Sequence, residues 1–417
     1  MGQKKIHFFL LFVIGLIILL NLQYHYTEQD HLEDKLKNVR DYTHFISSND
    51  LSFLGEKLKD KRILLLGEQT HFDGTTFRMK EQIVKYLHEN LGYDVVLYEA
   101  GLYDMWRMTL DIDSINPSIG LYDFWWNNKD CKDLWEYYRH CQKSDNPFFL
   151  GGFDIQLTGQ IPDSIRTKDL EKYLTSKGIY LNEYLYYPLI RDKMGRYFEN
   201  YFADQLTRDD KIGVLSDLDK IMVQLKTNQS IEDQIYYRYL WGIKERYKSV
   251  WKDKEVGSVQ RMQLRDSLMA NNLVWLSDSV FSNKKIIVWL SNIHAVNNLN
   301  DSINIPFKTL GQYMNQHFHE NLYTIVFSSY GRANSGNGLS GKLSNKSVEY
   351  LLHRNGGNLA YLDFNKIDSA SFLNKPFVSG INQGISIEAD WAKMADLLIY
   401  IDKMNPITKS NELTGNK

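Results

Sequence analysis

Cysteine is almost missing from this chain of 417 residues, which has only Cys131 and Cys141. That excludes a disulfide scaffold and any multi-cysteine zinc or iron-sulfur centre. What remains is one bridge or two buried thiols in an aromatic stretch containing Trp135, Tyr137 and Tyr138. Charge of one sign is lacking too: 49 Lys and Arg stand against 51 Asp and Glu, so the basic footprint of a nucleic-acid binder is absent. No G-x-S-x-G nucleophile elbow, H-E-x-x-H helix or Walker A loop occurs, which argues against a serine-triad α/β-hydrolase, a zincin and a P-loop enzyme. Glycines 336, 338 and 341 spell G-x-G-x-x-G, but they lie several residues past a strand with no acidic partner, inside a Gly/Ser/Asn-rich loop over 332–341.

Long apolar runs are confined to the N-terminus, where Lys4 and Lys5 precede an uncharged stretch from Phe8 to Leu22. Its length is near the short end for a membrane span. No small-x-small cleavage pattern follows and no cysteine is placed for lipid attachment, so an uncleaved signal anchor is expected. Lysines before the run and Glu28, Asp30, Glu33 and Asp34 after it place the body of the protein outside the cytoplasm, membrane-anchored, by the positive-inside rule.

Hydrophobic residues make up 43% of the chain, enough for a large core. Short continuous apolar runs at 62–67, 94–98, 148–150, 285–290, 323–327 and 397–401 read as buried parallel strands, several separated by helical patterns. Thr75 or Thr76 can cap a helix that Gly92 closes, giving one βαβ unit. An amphipathic helical stretch is expected over 31–59, and long charged, tyrosine-rich helices over 181–201 and 231–247. The expected fold is α/β, a mostly parallel sheet flanked by helices with an inserted helical lobe. The corresponding division is an N-terminal anchor (1–30), two sheet halves (31–160 and 276–405), the lobe (161–275) and a polar, frayed tail (406–417).

Ligands of parallel α/β sheets bind beyond the carboxyl ends of the strands. Here those ends run into Glu68 and His71, then Glu99, then Asp154 and Gln156, then Ser291, Asn292 and His294, then Ser328, Ser329 and Tyr330. One polar residue after a strand is ordinarily a cap, but two histidines and two carboxylates placed alike point to a site. A neutral histidine can take a proton from water while a carboxylate fixes its tautomer. Two histidines and a carboxylate could equally hold a metal ion. The tyrosine-rich lobe could wall a bulky substrate, although aromatics at helical spacing are more often core.

At these residues the chain resembles the erythromycin esterase family. The resemblance is carried by Gly67-Glu68-Gln69-Thr70-His71, Leu91-Gly92-Tyr93, Tyr98-Glu99-Ala100-Gly101, Gly152-Phe153-Asp154-Ile155-Gln156, Arg265-Asp266 with Asn271-Asn272 and Trp275-Leu276, Val288-Trp289 with Asn292-x-His294, and the closing 397–401. It spans about 60–405 and implies hydrolysis of a macrolide lactone or other ester by water, with a contribution to antibiotic resistance. His71 would be the general base, with Glu68, Glu99 and His294 orienting it, positioning the water or polarising the carbonyl. Lys80, where better-known members carry arginine, would join Asp154, Gln156, Ser291 and Asn292 as substrate-binding residues, or pair with a site carboxylate. Two positions depart from the family pattern: Phe72 stands where glycine is common, and Ser291 where the His-Asn-x-His pattern has its first histidine. The expected partners are a small-molecule ester or macrolide and the membrane, with no cofactor and a metal ion left open. A non-catalytic binding protein using the same cleft, for example for haem, is the alternative, and a metal-dependent hydrolase a third.

Overall fold

In the computed structural model the described residues are 31–47, 50–110, 116–191, 205–226, 230–252, 258–297, 308–332 and 341–410. The main sheet has eight strands: β1 Thr43–Phe45, β2 Ile63–Leu66, β3 Val95–Gly101, β4 Phe149–Asp154, β5 Ile286–Trp289, β6 Leu322–Ser328, β7 Leu359–Asp363 and β8 Leu397–Ile401. Their order across the sheet is β1-β7-β8-β6-β2-β5-β3-β4. From β8 to β4 every pairing is parallel, whereas β7 runs antiparallel to β8 and to β1. The fold is thus α/β with a mostly parallel sheet.

The helices are α1 (31–42), α2 Phe53–Leu58, α3 Gly74–Leu91, α4 Leu102–Thr109, α5 Asp123–Trp126, α6 Lys132–Cys141, α7 Asp163–Ser176, α8 Arg208–Lys226, α9 Ile231–Lys252, α10 Ser258–Trp275, α11 Asn292–Ala295, α12 Leu310–Phe318 and α13 Val348–Arg354. Strand alternation explains how they cover both faces. Ile63, Leu65, Val95, Leu97, Ile286 and Val288 enter one core with residues of α7, α8, α9 and α10. Leu64, Leu66, Val96, Tyr98, Ile287 and Trp289 enter the other, with residues of α2, α3 and α6. Burial on both faces is why β2 and β5 read as unbroken apolar runs rather than alternating ones.

Several expectations are corrected. Residues 1–30 lie outside the described residues, and no helix of the described residues is long and apolar enough to cross a membrane. The expected signal anchor and transmembrane segment fall on those residues, and the anchor, the membrane as a partner and the membrane-anchored, extracytoplasmic location find no support among the described residues and are not carried further. The cap of α3 is Asp73, whose carboxylate accepts from the Thr75 and Thr76 amides, not either threonine. Gly92 does close that helix, at a positive φ of 68° that costs a glycine little. The stretch over 31–59 is interrupted by β1, which adds an antiparallel edge. Within 181–201 the described part holds two single 3-10 turns, Leu181–Glu183 and Tyr187–Leu189, and the remainder from 192 lies outside the described residues, as do 333–340. Cys131 and Cys141 are both buried free thiols.

The residues after Asn405 are not frayed as far as 410. The Ile407 amide donates to the Phe72 carbonyl at 3.1 Å and the Gly74 amide to the Asn405 carbonyl at 2.9 Å. The Thr408 amide reaches Asp130 Oδ2 at 2.9 Å. This segment therefore pins the loop between β2 and α3 from outside.

Candidate active site

Strand order places the polar strand ends in a row: Asp154 at the end of β4, Glu99 in β3, Ser291 to His294 after β5, Glu68 to His71 after β2, and Ser328 in β6. Gly67 makes the turn out of β2 possible, because a Cβ there would sit 2.2 Å from Asn292 Oδ1. Asn292 is itself fully buried. Its Nδ2 donates to the Phe327 and Ile381 carbonyls at 2.7 and 2.8 Å, and its amide donates to the Glu68 carbonyl at 2.8 Å. It braces three segments rather than facing a cleft. Gln69 braces the same turn from the other side, donating to Ser328 Oγ at 3.0 Å and the Gly380 carbonyl at 2.6 Å.

Two clusters result. In the first, Glu68 is fully buried, with one oxygen 2.8 Å from His71 Nδ1 and the other on the ammonium of Lys80. A carboxylate can only accept, so Nδ1 carries a proton, and in the neutral imidazole the lone pair is then on Nε2. His71 keeps 32% of its side chain exposed and stacks on Phe124, ring centroids 4.7 Å apart, with the edge of Trp125 at 5.7 Å. Lys80 has no exposure, and its ammonium lies 4.3 Å from the centroid of the Trp289 ring. Burial pulls its pKa down to about 8 against the pull of Glu68. Lys80 therefore stands behind the loop as the partner of a site carboxylate.

In the second cluster, Arg265 of α10 donates to Glu99 Oε1 at 2.8 Å and, through Nε and Nη2, to both oxygens of Asp154 at 2.5–3.2 Å. His294 lies between two carboxylates, Nδ1 2.7 Å from Asp266 and Nε2 3.3 Å from Glu99. Burial alone would lower its pKa, but Asp266 and Glu99 hold it up at about 10, which favours the imidazolium; Arg265 Nη1 also lies 3.2 Å from its Nε2. Glu99 is buried, which would raise its pKa, yet His294 and Arg265 hold it well below the usual carboxylate range. The Ser291 amide donates to Glu99 Oε2 at 2.9 Å. His71 also lowers the Glu99 pKa, which ties the two clusters electrostatically.

Of the remaining residues named from the sequence, Gln156 is partly buried and accepts from the Tyr122 hydroxyl at 2.9 Å, while Ser291 is buried and contributes its backbone. Reading the strand ends missed Arg265 and Asp266 as site residues, and also the ring wall of Tyr122, Phe124 and Trp125. The Arg-Asp pair in an otherwise mixed helix was their one sequence signal. Among the described residues no group of three or more His, Cys, Asp and Glu side chains is arranged to hold a metal ion.

Comparison with known proteins adds relatives. The family model for erythromycin esterase matches residues 88–404, a span that includes Glu99, Asp154, Arg265 and His294 and begins after Glu68, His71 and Lys80. The Bacillus subtilis (strain 168) protein "Putative hydrolase YbfO" is 27% identical over 316 residues, covering 69% of each chain. Among solved structures, a Bacillus cereus protein superposes with a TM-score of 0.72 at 22% identity, covering 91% of this chain and 99% of its own. A mutant of erythromycin esterase EreC in its open conformation gives 0.61 at 13% identity, covering 88% and 96%. At those identities the structural matches bear on the fold alone.

Proposed function

The chain belongs to the erythromycin esterase family, and from that premise we propose that it is a hydrolase that adds water to a carboxylic ester, a macrolide lactone among the candidates, with His71 as the general base. The observation that carries this reading is the difference between the two histidines. Asp266 and Glu99 raise the His294 pKa to about 10, which favours its protonated form, and its ring is almost fully buried. His71 has its Nδ1 fixed by Glu68, is partly open, and keeps Nε2 for a water molecule.

In the proposed reaction His71 Nε2 takes a proton from water as the water oxygen attacks the ester carbonyl, and Glu68 stabilises the imidazolium through Nδ1–H. The C=O pair moves onto oxygen to give a tetrahedral oxyanion, for which Arg265 and His294 are the nearby fixed positive charges. Collapse breaks the bond to the alkoxide, His71 returns the proton to it, and acid and alcohol leave. The test is hydrolysis of a panel of simple esters and macrolides in ¹⁸O-labelled water, read by mass spectrometry. One labelled oxygen in the acid product, or a macrolide gaining the mass of water, supports the reading. Folded protein that hydrolyses no ester of the panel overturns it.

Lys80 gives this reading a pH signature. Its ammonium is needed to face Glu68, so the protonated form is the active one, and turnover should fall as pH rises through about 8. Arginine keeps its proton far above that pH. Lys80→Arg should therefore carry the alkaline limb of the kcat/KM profile past pH 9, and a limb that stays near 8 in the variant would remove Lys80 from the account.

A further inference from the structure

The partly open surface beside His71 is lined by rings. Phe72, Tyr122, Phe124 and the His71 imidazole itself are all half-buried, so each keeps part of its ring in solvent. These rings are ordered with respect to one another. Phe124 stacks on His71 with centroids 4.7 Å apart and planes at 12°, and Tyr122 stacks on Phe124 at 5.1 Å and 16°. Phe72 meets the same Phe124 edge to face, 6.1 Å away at 65°. Three nearly parallel faces and one crossing edge therefore adjoin the base.

The run Tyr122-Asp123-Phe124-Trp125-Trp126 supplies most of this surface from the single turn of α5, in which consecutive side chains fan out to different sides. Trp125 takes the inward direction, fully buried against Tyr98, whose own ring stacks on Trp289 at 5.2 Å. Phe124 is thereby left on the side of the base. Asp123, the one charged side chain of the turn, is occupied by Lys409 Nζ at 3.0 Å and Asn127 Nδ2 at 3.2 Å. The backbones are held as well: the Ile407 amide donates to the Phe72 carbonyl at 3.1 Å and the Ser410 amide to the Asn127 carbonyl at 3.3 Å. One C-terminal segment thus sews the Phe72 loop to the Phe124 turn, and the rings are positioned before any ligand arrives.

We propose that this surface selects esters that carry an aryl ring next to the scissile group, with Phe72 and Phe124 as the specificity-determining residues. A flat ring laid against fixed ring faces or edges gains the attraction of an aromatic pair in addition to the area it buries, whereas a saturated ring of the same carbon count gains the area alone. Because the rings are already held in place, little ordering cost offsets that gain. The inference rests on the hydrolase reading for the bond that breaks, and narrows the substrate class within it from esters in general to aryl-bearing ones.

Two matched pairs of esters test it: benzyl acetate against cyclohexylmethyl acetate, and methyl phenylacetate against methyl cyclohexylacetate. Each kcat/KM is divided by the rate constant for hydrolysis of the same ester by hydroxide, which removes differences in intrinsic reactivity. In at least one pair the wild type should favour the aryl member by about fivefold, the worth of one aromatic pair beyond buried area. Phe72→Leu or Phe124→Leu should bring that ratio toward one, and if one of the two fails to fold the other decides. A ratio near one in both pairs of the wild type, or a preference that survives in every variant that folds, overturns the selection. Where folded protein hydrolyses none of the four esters, the uncleaved amides 2-phenylacetamide and 2-cyclohexylacetamide decide through the thermal midpoint. If the first raises it more than the second in the wild type and loses that lead in a variant, the hydrolase reading falls and the aryl site stands. Equal shifts, or none, remove the aryl site together with the hydrolase reading.

Discussion

His71→Ala is expected to lower kcat/KM for ester hydrolysis by about a thousandfold, within the span over which a positioned general base contributes. The loss should appear in kcat, because the imidazole acts on the water and its ring is one wall among several for the substrate. Stability should change little. The ring is a third exposed, and its removal leaves Glu68 still paired with Lys80, so no buried charge is stranded. Steady-state kinetics with a urea midpoint measured in parallel would check both halves. A variant that folds and keeps more than a tenth of the wild-type rate would refute His71 as the base. The comparison with His294 sharpens the point: removing His294 takes the cation away from Asp266 and one of two cations from Glu99, and should therefore cost stability as well as rate.

Arg265→Met should have the largest effect on stability. The guanidinium is the shared partner of Glu99 and Asp154, which are 2% and 1% exposed. Removing one member of a buried ion-paired group leaves charge uncompensated and costs about 3–5 kcal/mol. The pH dependence follows from Glu99. Its pKa in the folded protein lies well below 4.5, so it contributes stability above pH 4.5 that is lost as pH falls through the folded value. Without Arg265 that pKa rises and the contribution shrinks. The gap between wild type and variant should thus be widest near neutral pH and narrow below about pH 4. Urea unfolding at pH 7 and pH 4 measures it, and adding Glu99→Gln to Arg265→Met should recover part of the loss at pH 7. Identical midpoints for wild type and Arg265→Met would show that the cluster does not depend on this cation.

Much of this site could be read before the fold was known, because two kinds of information are local in the chain. Unbroken apolar tetrads such as Ile63 to Leu66 mark strands covered on both faces, and the α/β class follows from their alternation with helices. The residues at or just past the ends of those strands, Glu68, His71, Glu99, Asp154 and His294, fall along one edge because parallel strands end on one side. What depended on long-range pairing was not visible. β7 gives no parallel-strand signal since it enters antiparallel at the far side of β8. The C-terminal segment looks like a polar tail until its amides meet Phe72 and Asn127. Lys80 sits in a helix where a lysine is ordinarily solvated, and only the packing of α3 over Trp289 buries it.

The sequence by itself determined the fold class and which strand ends carry polar groups, since both follow from side-chain periodicity over a few residues. Which histidine stays partly open beside a single carboxylate, and which cation meets Glu99, were decided by the tertiary structure. Arg265 lies 166 residues from Glu99 in the chain and reaches it only because α10 packs against the end of β4, where Asn272 holds the Phe153 carbonyl at 2.9 Å. Charge state depends on distances between groups that the chain order does not bring together: His71 and His294 are the same residue at equivalent strand ends, yet Asp266 and Glu99 close round one and raise its pKa against the effect of burial, while the other meets a single carboxylate and keeps an open face.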